Sequence, residues 1–229
     1  MMLAELRQKT WHANQEVVRR GLVLYTFGNA SGIDRDENLV VIKPSGVDYE
    51  KLAPEDMVVC DLEGKVVEGN LRPSSDLKTH IALYKAFPAI GGVIHTHSKF
   101  ATAWAQAGRD IQPMGTTHAD YFHGAVPCTR PLTDDEINGD YVLNTGLAII
   151  ERFQGLDPLA VPGVLVAGHA PFVWGVDPVH AAHNAVVLEA VAEMALMTVS
   201  LNPQAQVSQA LLDRHYYRKH GAAATYGQG

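Results

Sequence analysis

Apolar residues at Leu3, Leu6, Trp11, Ala13, Val17 and Val18 recur with the period of a helix, and Gly21 follows them. That pattern predicts an amphipathic helix over residues 3–20, ended by a glycine free to take a left-handed conformation. Beyond it the apolar runs shorten. Residues 22–27 and 39–42 read as strands around a polar loop at 28–32, and residues 57–62 and 65–68 as a hairpin turning on Glu63-Gly64. Ser74-Ser75 precede a helical stretch at 76–87 and offer hydroxyls suited to capping it. Residues 91–97 form a further strand, 98–107 a helix by composition, and 110–132 a long loop rich in Pro, Gly and Thr. Thr133-Asp134-Asp135-Glu136 has the capping-box pattern, so a helix reaching about Phe153 follows. Strands at 163–167 and 172–175 flank Gly168-His169-Ala170-Pro171. Asp177-Pro178 opens a long helix to about Leu201, and a shorter one covers 208–220.

Strands and helices alternate irregularly, with a hairpin among them and no internal repeat or linker. That order predicts one α/β layered domain over residues 1–229, with a central mixed or antiparallel sheet flanked by helices. The composition suits a packed core: 47% of the 229 residues are apolar and 19% charged. The net charge is −7 and no run of Lys and Arg occurs, which argues against a nucleic-acid partner and against an anionic membrane surface. Local donors suffice to bind a phosphorylated small molecule. Cys60 and Cys128 stand far apart and outside any C-x-x-C pair, so neither a disulfide framework nor a cysteine zinc site is expected. With no run of 18 uninterrupted apolar residues and no signal-like start, a cytoplasmic chain is expected.

The sharpest local chemistry is His95-Thr96-His97 at the end of a predicted strand. Residues i and i+2 of a strand share a face, so both imidazoles can reach one cation. His169 lies at a second strand-to-loop junction and can supply a third nitrogen, and Asp76, in the first turn of its helix, an oxygen. Three imidazoles and a carboxylate suit Zn²⁺ best, with Mn²⁺ or Co²⁺ as alternatives. The other histidines, among them His80 and His118, read as structural. The Glu that follows a cupin H-x-H is missing, as is the H-x-D-H of metallo-β-lactamase-type hydrolases, and no G-x-G-x-x-G or P-loop pattern marks a nucleotide site.

Seven segments taken in order resemble the L-ribulose-5-phosphate 4-epimerase family of the class II aldolase superfamily. They are FGNASG around Gly28-Asn29, IKPSGVDY around Lys43 to Gly46, RPSSD ending at Asp76, HTHS at 95–98, GTTHADYFHGAVPCTR at 115–130, PGVLVAGHAPFVWG at 162–175 and HYYRKHGAAATYGQ at 215–228. The resemblance implies metal ligation by Asp76, His95, His97 and His169. It implies phosphate and substrate binding by Gly28, Asn29, Lys43, Ser45, Gly46, Ser74, Ser75, Thr116 and Thr117. Glycine turns and a helix N-terminus present the N–H groups that anions need. It further implies Asp120 and Tyr226 as two acid/base groups. Tyr226 would enter from a neighbouring subunit, with His215 and Arg218 approaching the site across the same interface of a cyclic homotetramer. Ala167-Gly168 and Ala170 depart from the polar residue and Gly expected around His169, which bears on the surroundings of that ligand.

By the same resemblance the substrate is a ketopentose phosphate, epimerised at C4 by metal-assisted cleavage and re-formation of the C3–C4 bond, a reaction used in pentose catabolism such as that of arabinose or ascorbate. A class II sugar-phosphate aldolase of the fuculose or rhamnulose type is the nearest alternative, but Asp at position 76, where those aldolases tend to carry Glu, favours the epimerase. An adducin-like binding module is the next, and the presence of all four ligands argues against it.

Overall fold

A computed structural model describes residues 1–221 and 224–225. Its elements in chain order are α1 (Ala4–Arg19), β1 (Asn29–Asp34), β2 (Leu39–Ile42), β3 (Val58–Asp61), β4 (Val66–Glu68), α2 (Leu77–Ala86), β5 (Gly92–His95), α3 (Lys99–Gln106), α4 (Thr116–Ala119), α5 (Asp134–Asn138), α6 (Tyr141–Arg152), β6 (Gly163–Leu165), β7 (Pro171–Gly175), α7 (Pro178–Leu201) and α8 (Gln209–Lys219). The strands form one antiparallel sheet in the order β4-β3-β2-β1-β5-β7-β6.

The central strands are buried on both faces, so both must be covered. Successive side chains of β1 show how. The Ser31 hydroxyl meets His80 and Tyr84 of α2 on one face. On the other, a Cβ at Gly32 would collide with Pro178 and Leu6, which places α7 and α1 there. Gly32 pairs with Gly92 and Gly92 with Gly175, so three glycines form a row across the sheet. A Cβ at Gly92 would come within 2.5 Å of Pro178 Cα and one at Gly175 within 2.6 Å of the Ala181 amide. The start of α7 therefore lies directly on bare backbone. Asp177 caps it by accepting a hydrogen bond from the His180 amide at 2.7 Å.

Three local expectations change. Residues 22–27 are not a strand. The strand is the polar stretch Asn29–Asp34, because Asn29 and Ser31 find buried partners and Gly32 admits α7. The helix expected through 153 is two. Gly139 leaves helical geometry (ψ −133°), and Asp140 caps α6 anew through the Leu143 amide. The long loop at 110–132 contains the single turn α4. By length and composition α7 is apolar enough to cross a membrane, but one side packs on the sheet through Ala181, Ala185, Leu188, Val191 and Ala192. Its far side leaves Val179, Met194, Leu196, Met197 and Leu201 exposed.

Candidate active site

His95 is the last residue of β5, paired with Asn29 on one side and Phe172 on the other. Its ring stacks on Phe172, centroids 4.3 Å apart. Its Nδ1–H donates to the Pro171 carbonyl at 3.0 Å. That bond settles the tautomer and leaves the Nε2 lone pair facing the cleft. Thr96 and Ser98 are buried, and the chain turns into α3 immediately after His97-Ser98. Glu189 of α7 anchors this turn: its carboxylate accepts from the Phe100 and Ala101 amides at 2.8 and 2.9 Å. His169 sits in the turn between β6 and β7, where Gly168 adopts φ +70°.

These three segments bring His95, His97 and His169 together, with one ligand nitrogen of each within 4.8 Å of the others. The Nε2 atoms of His95 and His97 are 3.1 Å apart. Burial holds all three imidazoles below their ordinary pKa, with His97 adding to the effect at His169. A neutral ring offers one lone pair, and these nitrogens are close enough to face one common cation. A first-row divalent ion, with metal–nitrogen bonds of about 2.0–2.1 Å, bridges such a spacing. The donor set therefore fits a divalent metal.

Asp76, at the N-cap of α2, lines the same cleft but stands beside the triad rather than within it. Its Oδ2 accepts from Asn29 Nδ2 at 2.6 Å. Burial alone would raise its carboxyl. The neighbouring His95 and His80 rings, the Asn29 amide and His169 outweigh that and hold it below its ordinary value.

The expected phosphate segments converge on this cleft. Gly28, Asn29, Lys43, Ser45, Gly46, Ser74 and Ser75 line it together with Asp76 and the three histidines, around a volume of about 320 Å³. A bridge between Pro44 and Pro73, with Ser74 N donating to Lys43 O and Ser45 N to Arg72 O, ties two of the segments side by side. Gly28 needs φ +77°, and a Cβ there would meet the His95 carbonyl at 2.8 Å. Lys43 is only 1% exposed. Its Nζ donates to the Val47 and Pro44 carbonyls (2.9 and 3.3 Å) and lies 4.6 Å from the Tyr49 ring centre. Burial lowers its pKa to about 8. It shapes the Ser45-Gly46 loop from beneath.

Other expected residues lie elsewhere in the chain. Asp120 closes α4, and its carboxylate accepts from His215 Nδ1 at 2.9 Å and from Arg218 Nη2 at 3.1 Å, with Lys219 Nζ at 3.4 Å. Its backbone carbonyl accepts from His220. Burial would raise the Asp120 carboxyl, but Arg218, His215 and Lys219 hold it below its ordinary value. So Asp120, His215 and Arg218 meet, yet none of them lines the histidine cleft. Thr116 and Thr117 are exposed at the start of α4, and Thr117 borders a separate small cavity beside α7. Tyr226 lies outside the described residues.

Two residues of the cleft's surroundings were missed in the sequence. Tyr141, at the start of α6, places its hydroxyl 3.5 Å from His169 Nδ1, and no motif marks it. Glu189 carries only a weak signal, since it is one of two acids, with Glu193, in a mostly apolar helix.

The family model for the class II aldolase and adducin N-terminal domain matches residues 8–196. The chain is 54% identical to "L-ribulose-5-phosphate 4-epimerase UlaF" of Salmonella paratyphi C (strain RKS4594), over 99% of this chain and all of that one. The counterpart of the same name in Salmonella choleraesuis (strain SC-B67) matches at the same identity and coverage. Among solved structures, an L-fuculose 1-phosphate aldolase superposes with a TM-score of 0.80 at 23% identity, covering 95% of this chain and 97% of that one. YgbL of Escherichia coli, described as a putative aldolase/epimerase/decarboxylase, gives 0.72 at 23% identity over 92% and 97%. With the family model covering most of the sequence and the relatives matching it end to end, the chain belongs to the class II aldolase and adducin N-terminal domain family.

Proposed function

We propose that this chain interconverts L-ribulose 5-phosphate and D-xylulose 5-phosphate, acting as a single class II aldolase-like domain. The observation that carries the proposal is the union, in one cleft, of a lone-pair-rich histidine triad with glycine and serine segments suited to a phosphate, in a chain so similar to named 4-epimerases.

The chemistry asks for this union. The substrate carbonyl is at C2, so the hydrogen on C4 is not acidic and cannot simply be removed. Cleaving the C3–C4 bond avoids the problem. The C4 hydroxyl proton passes to a base, and the bond's electron pair moves into the C2–C3 unit. The aldehyde left on C4 turns its other face and the bond re-forms. Ser45, Gly46, Ser74, Ser75, Gly28 and Asn29 hold the phosphate, so the fragment turns without leaving. His95, His97 and His169, with Asp76, would hold the divalent cation, Zn²⁺ in this reading and Mn²⁺ or Co²⁺ as substitutes. Such an ion supplies Lewis-acid polarisation of the C2 oxygen.

The C4 oxygen points in opposite directions in the two epimers, which calls for an acid/base group on each side. Asp120 and Tyr226 take these roles. Since Asp120, His215, Arg218, Thr116 and Thr117 lie outside the cleft of their own chain, they complete the cleft of a neighbouring copy in a cyclic homotetramer. The exposed apolar side of α7 is surface for such an assembly. We place the enzyme in the cytoplasm.

The test is a coupled assay on L-ribulose 5-phosphate, with and without chelator, followed by divalent-metal add-back. Xylulose 5-phosphate should form, stop forming on chelation and return with metal. Dihydroxyacetone and glycolaldehyde phosphate as the main products would replace this reading with that of a sugar-phosphate aldolase.

A further inference from the structure

The lining of the histidine cleft is polar but for Phe27. Among the described residues around the cleft, Phe27 carries the one large apolar side chain, and it is 54% exposed. The backbone beneath the ring is tied down. The Phe27 amide donates to the Leu24 carbonyl at 2.9 Å, closing a tight turn. The buried Tyr49 hydroxyl donates toward the Phe27 and Gly28 carbonyls, at 3.1 and 2.9 Å. Gly28 then runs against the His95 carbonyl, where a Cβ would come within 2.8 Å. An apolar ring is thus presented to the cleft on backbone that has little freedom to shift.

The place of the ring ties it to one part of the substrate. Phe27 directly precedes Gly28-Asn29, one of the phosphate segments, and its ring centre lies 6.1 Å from that of His97, tilted by 56°. The ring therefore spans the interval between the phosphate end of the cleft and the histidine end. A ketopentose phosphate with C2 and C3 at the triad and its phosphate among the serines lays C4 and C5 across that interval. These two carbons become the aldehyde fragment when the C3–C4 bond breaks. The fragment has to turn over without leaving, and its phosphate holds only one end. A hydrogen-bonding wall would fix the carbonyl in one orientation. An apolar face is non-directional and holds either orientation equally.

We infer that Phe27 is the retaining wall of the cleft: its ring covers the two-carbon aldehyde phosphate as it turns and so sets the ratio of epimerisation to fragment release. This rests on the 4-epimerase reading and deepens it, since it names a residue that keeps an epimerase from acting as an aldolase. Release without the wall is balanced. The proton taken from the C4 hydroxyl ends on C3, and dihydroxyacetone and glycolaldehyde phosphate leave.

The test reads a ratio, which does not depend on how much of a variant is folded. Full-length, metal-loaded protein is given L-ribulose 5-phosphate, and xylulose 5-phosphate and free glycolaldehyde phosphate are measured together. In a second arm, labelled glycolaldehyde phosphate is added to the medium, and label entering the pentose phosphates reports exchange of the fragment. Phe27→Ala should raise both the free fragment per xylulose 5-phosphate and the label entry by about 10-fold or more, the low end of the roughly 10–200-fold that a small apolar contact is worth in a pocket. Phe27→Leu, which keeps an apolar cover, should fall between. Calorimetric titration of the metal-stripped proteins with Co²⁺ should give Phe27→Ala the parental affinity. An unchanged ratio in Phe27→Ala overturns the inference. So does a loss of Co²⁺ affinity, which would make the ring a support of His97 instead. A parent that forms no xylulose 5-phosphate brings down the 4-epimerase reading itself, whereas a working parent with an unchanged ratio in the variant removes the wall alone.

Discussion

The histidine cleft and the Asp120 cluster are built on opposite plans. In the first, three neutral imidazoles, each below its ordinary pKa, crowd together on the ends of buried strands and the turn between β6 and β7. One ligand nitrogen of each lies within 4.8 Å of the others, and His95 is held by β5 while His97 and His169 follow in adjoining turns. In the second, one carboxylate is surrounded by His215, Arg218 and Lys219, all from α8, a helix whose buried face is reduced to Leu212. One region stores unmet demand for a cation in a rigid frame. The other meets its electrostatic demand locally, on a helix that also contacts His123 through Asp213 and Tyr216. In the proposed function the contrast separates binding a metal, which needs preorganisation, from delivering a proton, for which a carboxylate could come from another copy of the chain.

The largest expected effect breaks the first region alone. His97→Ala should abolish tight metal binding and reduce kcat/KM far beyond the roughly 10–100-fold typical of an outer-shell change. Asp120→Asn should leave metal bound while lowering kcat by about 10²–10⁴-fold. Mixing the two inactive proteins under subunit exchange sharpens the comparison. If Asp120 serves a neighbouring cleft, random assembly in a ring restores roughly a quarter of parental activity, because one interface type then carries both intact groups. Mixtures as inactive as their components would assign Asp120 to the cleft of its own chain.

A smaller effect is expected from the loop that Lys43 supports. Lys43→Met removes the donor to the Val47 and Pro44 carbonyls. KM for the sugar phosphate should rise about 10-fold or more, with kcat changed less, as for lost ground-state binding. A fall in kcat at constant KM would show that Lys43 acts on the reacting carbons instead.

The smallest effect concerns stability at α4. His118 is buried, donates through Nε2–H to the Gly124 carbonyl, and is lowered to about 4 by burial, against about 6.5 when unfolded. Because the folded value is the lower one, the unfolded chain takes up the proton first as pH falls. Its contribution is therefore whole above about pH 6.5 and is lost on the way down to about 4, at up to about 1.4 kcal/mol per pH unit. Urea midpoints at pH 7 and pH 5 should differ less in His118→Gln than in the parent. An equal pH dependence would place the acid sensitivity elsewhere, in the first instance on the fully buried His80, also near 4.

The residues of the cleft were legible in the sequence because each carries a local mark. H-x-H at a strand end, a serine pair before a helix and glycine turns are short-range patterns whose geometry follows from backbone periodicity. The hairpin at residues 57–68, the helix α1 and the Asp177 cap were legible for the same reason. The strand Asn29–Asp34 was not, since its polar side chains look like a loop until their buried partners on α1 and α2 are known. Glu189 and Tyr141 act on segments about 90 and 28 residues distant, and no window of sequence contains both ends of such a contact.

The sequence by itself determined the candidates, namely the histidines and carboxylates that could hold a cation and the glycine and serine turns suited to an anion, and through its ordered motifs the family. Only the tertiary structure decided that the triad and the phosphate segments share one cleft and that Asp120 and α8 stand apart from it. The reason is one of range. Residue type and periodicity act over a few positions, whereas convergence of side chains depends on the register of β1, β5 and β7 and on the close seating of α7 over a row of glycines.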